Sequence, residues 1–364
     1  MLLNLKISCL CKKKMELEHI CDLRHVELHG KNFGEEISYY LEKFSISQKE
    51  LAQRLGLSTQ YIYIIINSKV NVNLSMSIIE GMENVFNLEL GTLSEVYSIY
   101  ANKERVENEN IEELLKNYGE DFIIANPSLP LISNIKLTKD MPVSKKLMMM
   151  NRFYGVADLK NYSQYLKENA LADESVYANP NSKVWIRFCE LSVLDAIKNK
   201  KIGVFRKNTF ELIYRKVVKI ICKENKEFKE KIEELQSYLL TKGIILITMP
   251  FIEKSDIAAI TFQKGAVRLI FVSDIFNCEA FIFNYILHEI THCFFANKDE
   301  KQIDEIYVNT YYEIKEKFNL KYKGIDDALK ARKQCFEINH KERKGEFCDI
   351  KKEVFLKYKK VSFN

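Results

Sequence analysis

The 364-residue chain lacks several features that would assign it to a class at once. No uninterrupted apolar segment reaches the roughly 20 residues that a membrane-spanning helix needs, so no membrane partner is predicted. The chain opens with an apolar stretch followed by a run of lysines, which is the reverse of a secretory signal. A large excess of one charge is also missing, because the net charge of +5 is small for this length. That balance by itself points to no particular partner.

Cysteine is present but forms no regular framework. The nine cysteines are an odd, widely scattered set, so a reducing cytoplasm fits better than a disulfide-stapled secreted domain. Three of them share the segment before Gly30 with half of the six histidines, in a spacing that matches no zinc module. The same is true of Cys335, His340 and Cys348 near the C-terminus. We therefore expect a cytoplasmic protein without a metal site in either terminal segment.

Proline is scarce and unevenly placed, which helps to divide the chain. With 47% hydrophobic and 29% charged residues, the chain can build two or three folded domains. Three of the five prolines lie at positions 127, 130 and 142, which predicts a connector with short helical pieces. We expect an N-terminal arm, a helical domain, this connector, a second domain and a basic extension, at residues 1–30, 31–103, 104–150, 151–320 and 321–364.

Short amphipathic helices follow one another in residues 31–103. Ser47 with Glu50 three residues later predicts a capping box at the start of SQKELAQRLG, and Gly56 permits a tight turn after it. Ser58 caps the next helix, STQYIYIIINS, so a helix-turn-helix is predicted within a five-helix module. Its second helix would enter the major groove of DNA. The candidate DNA-binding side chains are Gln48, Ser58, Thr59, Gln60, Tyr63 and Asn67.

Charge in this module argues against tight DNA binding, although a family resemblance argues for it. Residues 31–103 hold six Lys or Arg against eight Glu, a net of −2, so a small helical bundle that binds protein is the alternative. The segment 47–88 resembles the XRE family of helix-turn-helix regulators, especially its antitoxin branch. The matching positions are Gln48, Leu51, Ala52, Leu55, Gly56, Ser58 and Ile62. The resemblance implies an operator DNA as partner, and a homodimer is compatible with it.

Helical patterning returns between residues 143 and 240, and the period then changes. GIILITMP, AAITF and VRLIFV are three short β-rich runs, and Gln263-Lys264-Gly265 predicts a hairpin turn between the last two. The chain is therefore predicted to be mainly α with a small β-sheet, an α+β fold. An edge strand of that sheet could hold an extended peptide by backbone pairing.

The segment HEITH at residues 288–292 specifies a chemistry more directly than any other part of the sequence. Two histidines four residues apart share one face of a helix, so His288 and His292 can converge on one zinc ion. Glu289 could then accept a proton from water held by the metal. The alternative is a pair of hydrogen-bonded core histidines. Because the surrounding run FIFNYILHEITHCFF is apolar, the three polar side chains would be buried together, and a metal would partner both histidines.

A catalytic zinc usually has a third protein ligand. Residues 295 and 298 are Phe and Lys, which excludes the extended pattern with a third histidine, so a carboxylate from the following helix is expected. Asp304, Glu305 and Glu313 are the candidates. The region 183–318 resembles the ImmA/IrrE family of metallopeptidases, whose HExxH motif precedes a helix with a glutamate three residues before an Ala-Asn pair. Val308-Asn309 stands for that pair here, so the resemblance implies Glu305 as the third ligand and a zincin-like fold.

Together these patterns predict a zinc-dependent endopeptidase joined to a helix-turn-helix. The family resemblance implies a substrate that is itself a helix-turn-helix repressor or antitoxin-like regulator of a phage, mobile element or stress response. The alternative is a DNA-binding antitoxin or transcriptional repressor whose zinc domain serves as a sensor or binding platform without turnover. Residues 315–364 carry fifteen Lys or Arg against eight Asp or Glu, for which a solvated helical surface is favoured over a nucleic-acid site.

Overall fold

The computed structural model describes residues 27–68, 72–108, 110–129, 131–132, 135–341 and 357–363. Most of the predicted N-terminal arm, with its cysteines, lies outside these ranges, as does Cys348; Cys335 and His340 lie on a described helix. The described chain is mainly helical with one three-stranded sheet, which confirms the predicted α+β class. Within the described ranges, every helix is too short or too polar to cross a bilayer. Contacts divide the chain into two compact units, and along the sequence one unit ends at Asn161 and the other begins at Tyr162.

The first unit contains eight helices and the start of a ninth among its described residues. They are α1 (Phe33–Lys43), α2 (Gln48–Leu55), α3 (Thr59–Asn67), α4 (Met76–Val85), α5 (Thr92–Asn108), α6 (Ile111–Asn117), α7 (Glu120–Ala125), α8 (Val143–Tyr154) and α9 (Leu159–Asn169). Residues 104–150, predicted as a connector, thus include three short helices, and α8 packs against α5.

The Ser47 and Ser58 hydroxyls cap the starts of α2 and α3 as predicted, whereas the Glu50 carboxylate of the predicted capping box pairs with Arg54. The Ser47 hydroxyl accepts a hydrogen bond from the Glu50 amide at 3.1 Å, and Gly56 ends α2 in the left-handed region at φ +67°. The Ser58 hydroxyl then accepts from the amide of Tyr61 at 3.1 Å and starts α3. These bonds satisfy amides that a helix start leaves without partners, so the turn is defined by residues within it.

The first unit closes around a core to which α1–α5 all contribute. Ile62 and Ile65 are the buried residues of α3, and Leu51 and Ala52 are those of α2. Gly34 lets α1 approach α3 closely, because a Cβ at that position would lie 2.3 Å from the carbonyl oxygen of Ile66. Because Ile62 and Ile65 face this core, the opposite side of α3 is the exposed one.

The second unit begins within α9 and adds a helical layer and the sheet. Its remaining helices are α10 (Glu174–Tyr177), α11 (Pro180–Ile197), α12 (Phe210–Ile221), α13 (Phe228–Leu240), α14 (Glu279–Phe294), α15 (Glu300–Lys317) and α16 (Gly324–Lys341). Its strands are β1 (Ile244–Met249), β2 (Ala259–Lys264) and β3 (Val267–Ser273). β1 and β3 fall on the predicted runs, whereas β2 continues past its run through Gln263 and Lys264, which were predicted as turn residues.

One predicted helical stretch is divided in two. The sequence pattern is helical from about residue 208 to 240, but α12 ends at Ile221 and α13 starts at Phe228. The five residues between Cys222 and Phe228 are KENKE, which offers no apolar side chain to the core. Glu227 and Glu230 close a capping box at the start of α13, so the chain can restart a helix in a new direction.

The sheet has the order β1-β3-β2, with β1 parallel and β2 antiparallel to the central β3. β2 and β3 form a hairpin whose turn contains Gly265 at φ +56°. Helix α14 packs across β2 and β3. Outside the sheet, Ala170 forms an isolated bridge with Phe262, and the Leu171 amide donates to the carbonyl of Thr261 at 2.8 Å. A short segment of the same unit therefore lies along the free edge of β2.

Candidate metal centre

The HEITH segment lies in α14, and all five of its residues are buried. His288, Glu289 and His292 are between 3% and 8% exposed, while Ile286 and Ile290 are fully enclosed in the apolar core. Buried imidazoles and carboxylates need partners, because losing their water contacts costs free energy. The three side chains form a group that could hold a metal ion.

The two histidines direct the same ring nitrogen to a common point. Their Nε2 atoms are 3.0 Å apart, and the carboxylate of Glu300 bridges them, with Oε1 at 2.9 Å from His288 and Oε2 at 3.2 Å from His292. Two donors bound to one zinc at about 2.1 Å in a tetrahedron lie roughly 3.4 Å apart. The two nitrogens and the two Glu300 oxygens lie 2.9–3.2 Å from their nearest neighbours, somewhat closer than that, so a small outward movement would let them surround one ion.

Charge and hydrogen bonding match this arrangement. Burial raises the pKa of Glu300, but its hydrogen bonds and charge interactions with both imidazoles outweigh burial and bring the pKa well below its usual value. For His292, burial lowers the pKa, but its hydrogen bond to the Glu300 carboxylate and the negative charge of Glu289 outweigh burial, so the pKa lies above its usual value. The cluster is thus built to hold positive charge between the imidazoles and the carboxylates.

Glu289 faces the sheet and not solvent. The Thr261 hydroxyl on β2 donates to its Oε2 at 2.7 Å and to its backbone carbonyl at 3.2 Å. Thr261 is fully buried, so this bond fixes one carboxylate oxygen in a dry setting. The carboxylate stays within 4.8 Å of the ligand nitrogens of both histidines. Glu289 can therefore exchange protons with a molecule bound at the histidines, which is the geometry that a general base requires.

A cation from α16 also reaches the cluster. Arg332 lies with Nη1 at 3.0 Å from His288 Nδ1 and at 3.3 Å from the hydroxyl of Tyr307. Its Nη2 lies 3.0 Å from Asp304 Oδ1 and 3.4 Å from Glu300 Oε1. Asp304 is also 3.2 Å from His288 Nδ1. The far nitrogen of His288 thus has both a guanidinium and a carboxylate beside it.

The predicted third ligand is not part of this group. Glu305 and Glu313 are exposed on α15, and among the described residues no ion pair or hydrogen bond joins either to His288 or His292. Asp304, the remaining candidate, lies 3.2 Å from His288 Nδ1 and forms with His288 and Glu300 a second group that could hold a metal ion. The carboxylate within 3.2 Å of both Nε2 atoms is that of Glu300, which the family resemblance did not indicate.

The predicted DNA-binding side chains gather on α3 and its neighbouring turn, with no assembled site around them. Ser58, Thr59, Gln60, Tyr63 and Asn67 are exposed, and Gln48 on α2 is half-buried. Two of them already serve the helix itself. The Ser58 hydroxyl caps α3, and the Asn67 side-chain amide donates to the Tyr63 carbonyl at 2.9 Å. This leaves Thr59, Gln60 and Tyr63 as the side chains best placed to contact a partner.

Sequence reasoning missed Glu300, Thr261 and Arg332. A usable signal existed for Glu300, since only five residues separate α14 from α15 and the first turn of α15 must therefore stay close to the end of α14. Thr261 is the one polar residue among the three buried positions of β2, and Arg332 is one cation among the fifteen of the basic tail. Neither of these carries a local signal.

Comparisons with known proteins assign no family and no function to this chain. No protein-family model matches the chain, and no curated protein or solved structure gives a significant match.

Proposed function

We propose that this chain is a zinc-dependent endopeptidase of regulatory function, with His288, His292 and Glu300 as zinc ligands and Glu289 as general base. The proposal rests chiefly on the convergence of two Nε2 atoms and a bridging carboxylate, with a second carboxylate held beside them. Two imidazoles and one Glu form a donor set that catalytic zinc uses, and three ligands leave a position for substrate. Zinc is favoured over calcium or magnesium, which prefer oxygen-only ligands.

The chain's own residues supply the proton transfers of peptide hydrolysis. A zinc ion held at this site would polarise the scissile carbonyl and make bound water more acidic. Glu289 takes a proton from the attacking water on its carboxylate and passes it to the nitrogen of the leaving amine. Thr261 keeps that carboxylate oriented, because its hydroxyl binds Oε2 and leaves Oε1 as the second acceptor.

The helices of the first unit support the proposal that the substrate is a regulatory protein. α2 and α3 are joined by a capped turn and α3 exposes Gln60 and Tyr63, an arrangement that suits a helix-turn-helix with α3 in the major groove. A peptidase carrying such a module would act near operator DNA, and its proposed substrate is a helix-turn-helix repressor or antitoxin-like regulator. The family resemblance of both segments is the ground for this part of the proposal.

A second candidate is a DNA-binding repressor or antitoxin whose zinc domain senses or binds without turnover. Pairing of Ala170 and Leu171 along β2 favours it, since this pairing occupies the sheet edge beside Thr261 and Glu289. An extended substrate that paired with the same edge would have to displace this segment.

Comparison of the wild type with Glu289→Gln tests the proposal. Purified proteins are analysed for bound metal and then incubated with the regulators encoded beside the gene. We expect equal zinc content in both proteins and a loss of cleavage of at least about 100-fold in the variant. Cleavage that survives in Glu289→Gln would refute the peptidase mechanism. Zinc binding by both proteins without cleavage of any regulator by the wild type would favour the second candidate.

A further inference from the structure

The position of Arg332 against His288 has a consequence for the metal site. A neutral imidazole carries one N–H and one lone pair, whereas a guanidinium only donates hydrogen bonds. Nη1 of Arg332 is 3.0 Å from Nδ1 of His288, and this contact is a hydrogen bond when Nδ1 presents its lone pair to the guanidinium. The hydrogen of the ring then sits on Nε2, where it meets Glu300 Oε1 at 2.9 Å.

Metal binding requires the opposite tautomer. A ligand nitrogen must offer its lone pair, so Nε2 can bind zinc only when the ring hydrogen is on Nδ1. In that state the Arg332 contact would place two donors 3.0 Å apart. Asp304 Oδ1, at 3.2 Å from the same nitrogen, is the acceptor that the Nδ1 hydrogen needs.

The two neighbours of Nδ1 also hold each other. Arg332 Nη2 and Asp304 Oδ1 are 3.0 Å apart and form an ion pair, in which Oδ1 is buried and accepts no hydrogen bond from any described residue. The guanidinium also lies 3.4 Å from Glu300 Oε1, where its charge would repel a bound cation. α16 brings Arg332 to this point because the fully buried small residues Ala328 and Ala331 pack against the start of α14.

We propose that Arg332 is a built-in competitor of the metal ion, which holds His288 in the tautomer that cannot ligate, and that Asp304 is the positioning residue for the ligating tautomer. When zinc binds, the ring hydrogen of His288 moves from Nε2 to Nδ1 and is accepted by Asp304. Arg332 then leaves the ring and its ion pair with Asp304 is broken. This inference rests on the proposed zinc site, but it requires no peptidase activity. The helix of the C-terminal extension thereby becomes a control on metal occupancy.

Zinc affinity of the full chain, measured by competition with a chromogenic chelator, tests the inference. Arg332→Gln removes the cation and is expected to bind zinc more tightly than the wild type. Lys330→Gln removes a cation from an exposed position two residues away on α16 and should match the wild type. Asp304→Ala should bind roughly 10–100-fold more weakly, and Asp304→Asn should recover part of the loss because its amide oxygen still accepts. Unchanged or weaker binding by Arg332→Gln would overturn the inference.

A second measurement observes the tautomer of His288 directly in the wild type. Long-range ¹H–¹⁵N spectra of histidine-labelled protein distinguish the two tautomers, and the His288 signals are identified by their absence from His288→Gln. We expect the hydrogen on Nε2 without metal and on Nδ1 after zinc is added. An Nδ1 hydrogen in the metal-free protein would overturn the proposal. Zinc binding with the expected change but without cleavage would support it while refuting the peptidase function.

Discussion

Helices α3 and α14 carry the two sets of predicted functional residues, and they differ in whether their polar side chains are exposed or buried. α3 buries Ile62 and Ile65 and exposes its polar residues, whereas α14 buries His288 and His292 within an apolar core. A buried imidazole must find a partner, so its surroundings show what it can bind. An exposed glutamine or tyrosine is satisfied by water. Burial therefore makes α14 informative about chemistry, while α3 is informative mainly about packing.

The largest effect is expected from removing a ligand on α14. His292→Ala should abolish stoichiometric zinc binding at micromolar concentrations, because one imidazole and one carboxylate cannot complete the set. Zinc should raise the thermal unfolding temperature of the wild type, since an ion that binds only the folded state stabilises it, and a chelator should reverse this. Calorimetry with and without zinc measures both effects, and Asn67→Ala on α3 is the control. A zinc-dependent shift that persists in His292→Ala would place the ion elsewhere.

The third ligand can be decided by a matched pair on α15. Glu300→Gln should weaken zinc binding strongly, by more than about 100-fold, because it removes the carboxylate that bridges both Nε2 atoms. Glu305→Gln should leave the affinity unchanged, since that side chain is exposed. Chelator competition measures the zinc affinity of both variants. If Glu305→Gln binds zinc more weakly than Glu300→Gln, the third ligand is Glu305.

The packing role of α3 predicts a different pair of results. Ile62→Ala should lower the free energy of unfolding of the first unit by about 2–4 kcal/mol, because its side chain is fully buried. Ile64→Ala makes the same chemical change where the side chain is 46% exposed, and its effect should stay within about 0.5 kcal/mol. Urea denaturation followed by circular dichroism measures both. Equal losses would mean that Ile64 is covered by a partner.

A smaller effect is expected at Thr261. Thr261→Val keeps the shape of the side chain but removes the hydroxyl that donates to Glu289, so kcat should fall by roughly tenfold while zinc affinity holds. Thr310→Val on α15 is the control, since that hydroxyl bonds only its own helix at Ile306. Turnover and metal content measured together separate loss of orientation from loss of the site.

The smallest effect is expected for DNA binding by α3. With a net charge of −2 over residues 31–103, few phosphate contacts are available, so log affinity should fall only shallowly with log salt. Gln60→Ala should cost about 1–2 kcal/mol for a specific operator, and the exposed Gln53→Ala on α2 should cost less. Fluorescence anisotropy over a range of salt concentrations measures both. A steep salt slope would contradict the weakly charged interface.

Local patterns predicted much of the fold. The caps at Ser47 and Ser58, the buried strand runs and the hairpin at Gly265 all follow from residues close in sequence. The break between α12 and α13 was missed because each half is strongly amphipathic, so its pattern hides a change of direction. Trp185 is fully buried, and its Nε1 donates to the Pro250 carbonyl at 3.1 Å, a contact with a residue 65 positions away that no local pattern encodes.

The amino-acid sequence alone predicts that His288 and His292 share a face, because a helix returns to the same side every 3.6 residues. It also placed Glu289 beside them and apolar residues around them. Tertiary structure decided which carboxylate and which cation complete the site. Glu300 and Arg332 reach the histidines because α15 turns back after five residues and α16 packs closely through two alanines. Such contacts join residues far apart in the chain, so no local periodicity encodes them.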